Sequence, residues 1–174
     1  MPKLADIFAE GGNIAVAGKT EELNAILNTN PPANWVKEHP TIKGHKYLPI
    51  DKVEHLMRKI FKKYNIEITG QGTAFNGVWV TVRIHYFNPA LNAMQYQDGI
   101  GASQLQTAKG TSPADLANIN HGAISMAFPI AKTLAIKDAA DLIGNIFGAN
   151  LNRREAVEFK PDMELLEKYK KAID

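Results

Sequence analysis

Aromatic rings and cations alternate along one predicted strand, and they are the best candidates for binding chemistry in this chain. Residues 78–86 carry three valines, an isoleucine and a tyrosine at every second position. The positions between and after them are Trp79, Thr81, Arg83, His85 and Phe87. Strand side chains alternate between two faces, so this second set shares one face. Aromatic rings stack on bases and cations neutralise phosphates, a combination that is typical of single-strand binding. The alternative is a strand buried on both faces, in which only the charged end of Arg83 reaches solvent.

A second candidate is Gly18-Lys19-Thr20, which matches the end of a phosphate-binding loop. The full motif places its first glycine at position 13, where this chain has Asn13. Gly12 lies one residue too early, and no strand is predicted before it. A small nucleotide-binding enzyme is therefore an alternative hypothesis here.

The histidines, serines and cysteine content indicate no catalytic centre. The five histidines lack the helical spacing of a metal-binding pair, and no serine lies in a Gly-x-Ser-x-Gly elbow. There is no cysteine, which excludes disulfides, thiolate metal ligands and cysteine nucleophiles. We therefore expect a protein that is not an enzyme and that needs neither a cofactor nor a metal.

Positive charge is concentrated in one segment, although the net charge of the chain is only +2. Residues 35–65 contain eight basic and three acidic side chains, a local excess of five positive charges. Local fields rather than the total charge steer a polyanion to a surface, so this segment is a candidate for nucleic-acid contact.

Length and composition are those of an ordinary globular protein. The chain has 174 residues, of which 45% are hydrophobic and 22% charged. No apolar run approaches the roughly 20 residues that span a bilayer, and Asp6 and Glu10 interrupt the N-terminal apolar stretch. We expect a cytoplasmic location.

An amphipathic helix is predicted over residues 51–64. Asp51 is expected to cap its N-terminus, with Glu54 completing a capping box. Lysines and Arg58 lie on one side, for which a solvated basic face is the ordinary interpretation. The opposite, apolar face follows helical spacing through Val53, Leu56, Met57, Ile60, Phe61 and Tyr64.

Three antiparallel strands should follow this helix. The first runs over residues 66–75, and Asn76-Gly77 is predicted to supply the two positive φ angles of a type I′ turn. The second strand covers 78–87 and the third 93–97. Asp98-Gly99-Ile100-Gly101 is predicted to end the meander.

Two helical stretches are predicted next, with Pro129 expected to kink or restart the helix between them. Ser112-Pro113 has the residue types of a helix start, and that helix should reach Phe128. The second should run over residues 130–147 and end near Gly148.

The predicted fold class is α+β, a β-β-β-α core packed against helices, in three regions. Residues 1–34 are expected to form a partly flexible N-terminal arm, with Gly11-Gly12-Asn13 as a flexible stretch and a short helix near 21–27. Residues 35–150 are the core domain. Residues 151–174 are the C-terminal helical tail.

Taken in order, the segments from Trp35 to Asn150 resemble the single-strand annealing proteins of homologous recombination, the Rad-fifty-two superfamily with its Sak-type phage branch. Each segment is moderately specific, and their order and spacing strengthen the match. The resemblance is carried by Lys46-Tyr47-Leu48, the helix ending in Ile60-Phe61, the 78–86 strand, Gly99-Ile100-Gly101-Ala102, Lys132-Thr133-Leu134-Ala135-Ile136-Lys137 and Gly144-Asn145-Ile146-Phe147-Gly148.

The resemblance implies a core that assembles into an oligomeric ring or arc of identical subunits. It implies that single-stranded DNA lies in a positively charged outer groove with its bases exposed, and that annealing needs no nucleotide or metal. The implied partners are single-stranded DNA, other copies of the chain and a phage exonuclease or host single-strand-binding protein, in the host cytoplasm. A module that binds double-stranded RNA or DNA is an alternative built from the same elements.

The resemblance also implies which basic residues contact DNA. Lys137 corresponds to a basic position on the late helix, Lys109 to a basic loop, and Lys37 lies near another basic position. Asp138 and Asp141 stand where the family often has further cations, so the contacts have moved to other cations or binding is weaker. The predicted nucleic-acid-binding residues are Lys37, Lys46, Arg83, Lys109, Lys132, Lys137, Arg153 and Arg154.

Overall fold

The computed structural model describes residues 1–9 and 13–174 and has the predicted α+β class. A short antiparallel ladder pairs β1 (Lys37–Glu38) with β2 (Lys46–Tyr47). The main sheet is antiparallel, with β3 (Tyr64–Ala74), β4 (Gly77–Asn88) and β5 (Ala93–Gln104) side by side in chain order. The helices are α1 (Leu4–Ala9), α2 (Ile14–Leu27), α3 (Ile50–Phe61), α4 (Ala123–Ile143) and α5 (Met163–Ile173). Gly11-Gly12, predicted to be flexible, lie outside the described residues.

The main sheet has one packed face and one face open to solvent. Val78, Val80, Val82 and Ile84 of β4 are each at most 2% exposed, which confirms the predicted alternation. The residues between them are only half-buried. The alternative of a strand buried on both faces is therefore wrong.

The β3–β4 turn differs from its prediction. Ala74 pairs with Gly77, which leaves Phe75 and Asn76 as the two loop residues, and the positive φ angle lies at Phe75 (52°). Gly77 is the first residue of β4 instead. A Cβ there would lie 3.2 Å from the Ser103 carbonyl oxygen, so this glycine permits close strand pairing.

Strand β5 runs through Gly99 and Gly101 to Gln104, so the predicted end of the meander at residues 98–101 is wrong. A Cβ on either glycine would overlap the backbone of α4, at the carbonyl oxygens of Ala135 and Ala131 respectively. These glycines therefore serve a close helix–sheet contact rather than a turn. The facing side of α4 is a ridge of buried alanines at every fourth position: Ala123, Ala127, Ala131, Ala135 and Ala139.

Helix α4 begins later than predicted. Ser112 and Asp115 do not start an α-helix. Their side chains instead accept hydrogen bonds from the Ala114 and Ala117 N–H groups in a turn and a single 3₁₀ turn. The helix begins at Ala123, after Gly122 in the left-handed region (φ 75°). Pro129 lies inside it and does not divide it.

The amphipathic helix α3 carries the predicted apolar face, with Val53, Met57 and Phe61 fully buried. Its bounds differ by a few residues: Pro49 rather than Asp51 is the N-cap, and no side chain caps it. The helix stops at Phe61 because Lys62 has a positive φ (63°), and Tyr64 opens β3.

The two ends of the chain pack together. Helix α2 is longer than the predicted 21–27 segment and contacts α5. Within the predicted C-terminal tail, only α5 is helical. Leu165 is buried with Ala5 and Ala17 in a small second cluster. In the described part of the chain, no helix is both long and apolar enough to cross a membrane.

Candidate nucleic-acid interface

The β1–β2 ladder is held against the segment that follows α4. The Asn152 side-chain oxygen accepts a hydrogen bond from the Lys46 N–H (2.8 Å), and its amide group donates to the Lys46 carbonyl (2.7 Å). Within the connecting loop, Glu38 accepts from the Gly44 N–H (2.7 Å) and the His39 Nδ1 accepts from the Ile42 N–H (3.2 Å). These bonds bring two basic segments that lie far apart in sequence to one surface.

A cleft of about 460 Å³ lies between these two segments. Among the described residues that line it there is no carboxylate. Several cations this close together produce a concentrated positive potential, which suits a phosphate backbone. The basic residues lining the cleft are Lys43, Lys46, Arg153 and Arg154.

A deeper cavity of about 640 Å³ adjoins the cleft and shares His45, Lys46, Leu151 and Asn152 with it. Apolar side chains dominate its wall, in contrast to the cleft. Its apolar lining residues include Tyr47, Leu48, Ile130, Leu134 and Phe147. Its ionisable residues besides Lys46 and His45 are His39, Lys137 and Asp141.

Lys137 lines this cavity. Its ammonium group is 4.8 Å from the centre of the Tyr47 ring, within cation–π distance. Burial lowers the Lys137 pKa, and the nearby Asp141 and Asp51 carboxylates oppose that shift. Lys137, the late-helix position predicted from the resemblance, is therefore a half-buried cation near the Tyr47 ring and the Asp141 carboxylate.

Asp138 and Asp141, at positions where the resemblance predicts cations, differ in environment. Asp138 accepts a hydrogen bond from the Ile100 N–H (2.9 Å) and so ties α4 to β5. Asp141 also lines the cavity and is exposed, yet partial desolvation by the surrounding protein, followed by repulsion from Asp138, raises its pKa to about 6. Arg153 and Lys137 lower that pKa by smaller amounts.

A third cavity, of about 520 Å³, shares Lys46 and Leu151 with the other two and is also lined by Lys37 and Glu38. We call the three adjoining cavities the basic groove. The structure thus brings together five of the predicted residues, and Lys43 joins them. Lys43 belongs to the basic segment 35–65, and its charge was the signal available in the sequence. The cations of the basic groove are Lys37, Lys43, Lys46, Lys137, Arg153 and Arg154.

The other predicted binding residues lie apart from the basic groove. Lys109 is exposed in the irregular segment between β5 and α4. Lys132 is exposed on α4, roughly 140° around the helix axis from Lys137. Arg83 is on the open face of the main sheet, and its Nε and Nη2 donate to the two carboxylate oxygens of Asp98 (2.7 and 2.9 Å).

The open face of the sheet is less basic than its β4 residues indicate alone. The pairing raises the Arg83 pKa and lowers the Asp98 pKa, so both groups stay charged and compensate each other. His85 is 2.8 Å from Glu67 of β3. The Trp79 ring lies over β3, where Gly72 leaves room for it. The carboxylates come from the neighbouring strands, so reading β4 by itself does not reveal them.

The phosphate-loop hypothesis for Gly18-Lys19-Thr20 is wrong. These residues lie inside α2 rather than in a loop after a strand. Gly18 is buried, and a Cβ there would overlap the Tyr169 side chain of α5. The Thr20 hydroxyl donates to the Val16 carbonyl (2.8 Å) in the preceding turn. The glycine is therefore needed for helix packing.

Comparisons with known proteins give no family assignment. No model of a known protein family matches the chain, and no curated protein is significantly similar to it. The basic groove and the resemblance carried by the sequence segments are thus the grounds on which a function can be argued.

Proposed function

We propose that this chain is a single-stranded DNA-binding protein that anneals complementary strands in homologous recombination. The observation that supports this most is the cleft with Lys43, Lys46, Arg153 and Arg154 around it. Lysine and arginine side chains that contact phosphates bind nucleic acid irrespective of its base sequence. The proposed activity is strand pairing, which requires no covalent chemistry, nucleotide or metal.

In this proposal the basic groove holds the sugar–phosphate backbone, while most base edges remain free. Watson–Crick pairing, and not the protein, then selects the complementary strand. A single subunit offers few cations, so an oligomeric ring or filament would add affinity by repeating the site along one strand. We propose that the outer edges of the sheet, at β3 and β5, are the contacts between subunits, because an outer strand can pair with another chain.

The proposed setting is the cytoplasm of a host cell if the chain is encoded by a phage. An annealing protein needs resected DNA, so a phage exonuclease is the proposed supplier of single strands. A host single-strand-binding protein would occupy the same strands and is the other proposed partner.

The test is a titration of labelled single-stranded and duplex oligonucleotides followed by fluorescence anisotropy across a salt series. Each groove cation that contacts a phosphate contributes about one unit to the slope of log affinity against log salt. We therefore expect Arg154→Ala to weaken binding and to reduce that slope by about one. Lys171→Ala, which removes the same charge from an exposed position on α5, is the matched control and should change neither.

Addition of the complementary strand completes the test. Tight single-strand binding and faster pairing than in protein-free solution would support the proposal. Preference for duplex would favour the duplex-binding module instead. Absence of binding to both forms at low salt would rule out a nucleic-acid function for the groove.

A further inference from the structure

We propose that the 640 Å³ cavity of the basic groove takes one unpaired base from the bound single strand. This inference rests on the proposed function and adds a base-binding subsite to it. It implies that each subunit withholds one base at a time from pairing.

The wall of the cavity is the first reason. Ile130 is 45% and Leu134 44% exposed, so apolar side chains of α4 face solvent beside the most basic cleft of the groove. A phosphate backbone would not cover such a surface, because charged oxygens lose hydration against apolar atoms. A nucleobase has flat apolar faces and gains from contact with aliphatic and aromatic side chains.

The cavity is large enough for this occupant. Pockets for small organic groups range over about 300–1,000 Å³ and are mostly apolar with a few polar groups. The cavity falls within that range. Its aromatic wall includes Tyr47, against which the His39 ring packs edge-on with centroids 6.2 Å apart.

Polar groups in the wall suit the edge of a base. His39 Nδ1 accepts hydrogen bonds from the Thr41 and Ile42 N–H groups, so in the neutral ring the proton is on Nε2, which can donate. The Asp141 carboxylate can accept. A base edge presents both donors and acceptors, whereas a purely aliphatic guest would leave these groups without partners.

The position of the cavity next to the basic cleft favours an occupant that belongs to a negatively charged strand. The cavity and the cleft share Lys46 and Asn152, and the two Asn152–Lys46 hydrogen bonds fix this shared wall. A strand whose phosphates lie between Lys46 and Arg153 therefore passes the mouth of the cavity. The negative charge of that strand distinguishes it from an apolar peptide segment as the occupant.

The experiment compares an ordinary oligonucleotide with an abasic sugar–phosphate strand of the same length, in the intact protein. The natural protein should bind the ordinary strand about five- to a hundred-fold more tightly, the range expected for one buried base. Leu134→Asn should shrink this ratio towards one while leaving abasic binding unchanged. Leu142→Asn is the matched control, because Leu142 is 65% exposed on the same helix and does not line the cavity, so the ratio should persist.

Two outcomes would overturn the base subsite without touching the proposed function. One is equal, salt-dependent binding of both strands by the natural protein, which would indicate contact with the backbone alone. The other is an unchanged ratio in Leu134→Asn together with an altered oligomeric state in size-exclusion chromatography, which would make the cavity a contact between subunits. Failure to bind either strand would instead count against the proposed function itself.

Discussion

Asp141 is the acidic side chain of the basic groove whose surroundings most oppose its charge. It is an exposed residue of α4 near Lys137, and its pKa of about 6 is well above that of a solvated aspartate. The folded-state pKa exceeds the unfolded value of 3.8, so the cost of charging this group is absent below pH 3.8. That cost grows between pH 3.8 and 6 and is fully present above pH 6.

We expect Asp141→Asn to stabilise the protein at pH 7 by about 1 kcal/mol, a value reduced for solvent screening because the side chain is exposed. Urea denaturation at pH 7 and at pH 3.5 measures this, and the gain should vanish at the lower pH. Oligonucleotide affinity should also rise at neutral pH, because one negative charge leaves the groove.

Glu22→Gln is the control for this substitution, since it removes one negative charge from an exposed position on α2. It should leave both the unfolding free energy and the affinity close to those of the natural protein. Equal effects of the two substitutions would mean that net charge, and not the environment of Asp141, is responsible.

At the scale of secondary-structure elements, the contact between α4 and β5 leaves no space for larger side chains at Gly99 and Gly101. Gly99 and Gly101 face the alanine ridge of α4 so closely that an added methyl group meets helix backbone. Backbone cannot move aside as a flexible side chain can, so the whole helix would have to shift.

We therefore expect Gly101→Ala to lower the free energy of unfolding by about 2–4 kcal/mol. The urea midpoint, with an unchanged slope, is the measurement. Ala102→Ser, on the exposed face of the same strand, is the control and should cost less than about 0.5 kcal/mol. A similar loss in both variants would show that β5 tolerates no substitution at all, independently of α4.

Elements with strong local periodicity were predictable from the sequence, and elements shaped by their neighbours were not. The alternation in β4 and the apolar face of α3 identified both elements. Gly99 and Gly101 resembled a turn because nothing local reveals the helix that packs on them. Ser112-Pro113 resembled a helix start, but a turn satisfies its capping groups instead.

At the scale of the whole molecule, the terminal helices pack on one another in a small cluster, and α2 joins this cluster to the main core through Leu23 and Leu27. Helices α1, α2 and α5 meet around Ala5, Ala17 and Leu165, and a Lys3–Glu164 ion pair (3.0 Å) bridges the chain ends. Gly18 of α2 lies directly beneath Tyr169 of α5. The segment that resembled a phosphate loop is in this way a packing contact between the two ends.

Gly18→Ala should displace α5 at a cost of about 1–3 kcal/mol, because the added Cβ meets the base of the Tyr169 side chain rather than its flexible end. Limited proteolysis should then cut the segment after residue 155 faster than in the natural protein. Combination with Tyr169→Ala should recover part of the loss, since the two substitutions act on one contact. Strict additivity of the two losses would contradict this packing account.

The site shows the same division between local and distant signals. Charge and resemblance identified five cations of the groove: Lys37, Lys46, Lys137, Arg153 and Arg154. Their assembly into one groove depends on Asn152, which is more than a hundred residues from Lys46 in the sequence. The compensation of Arg83 by Asp98 likewise needs the register of β4 against β5. Sequence reasoning could identify the cations, but the strand register and the Asn152 bonds determine which of them act together.

The groove has two walls that differ in how readily they can move. Lys137 and Leu134 belong to a helix whose alanine ridge is locked against the sheet. Lys43 and Lys46 belong to a hairpin held by two residue pairs of β ladder, the Asn152 bonds and the contact of Tyr47 with Lys137. Local opening is cheapest where few contacts must break. Under the proposed function, we therefore expect a bound strand to be released by movement of the hairpin rather than of α4, and the lifetime of the complex to follow the opening rate of that hairpin.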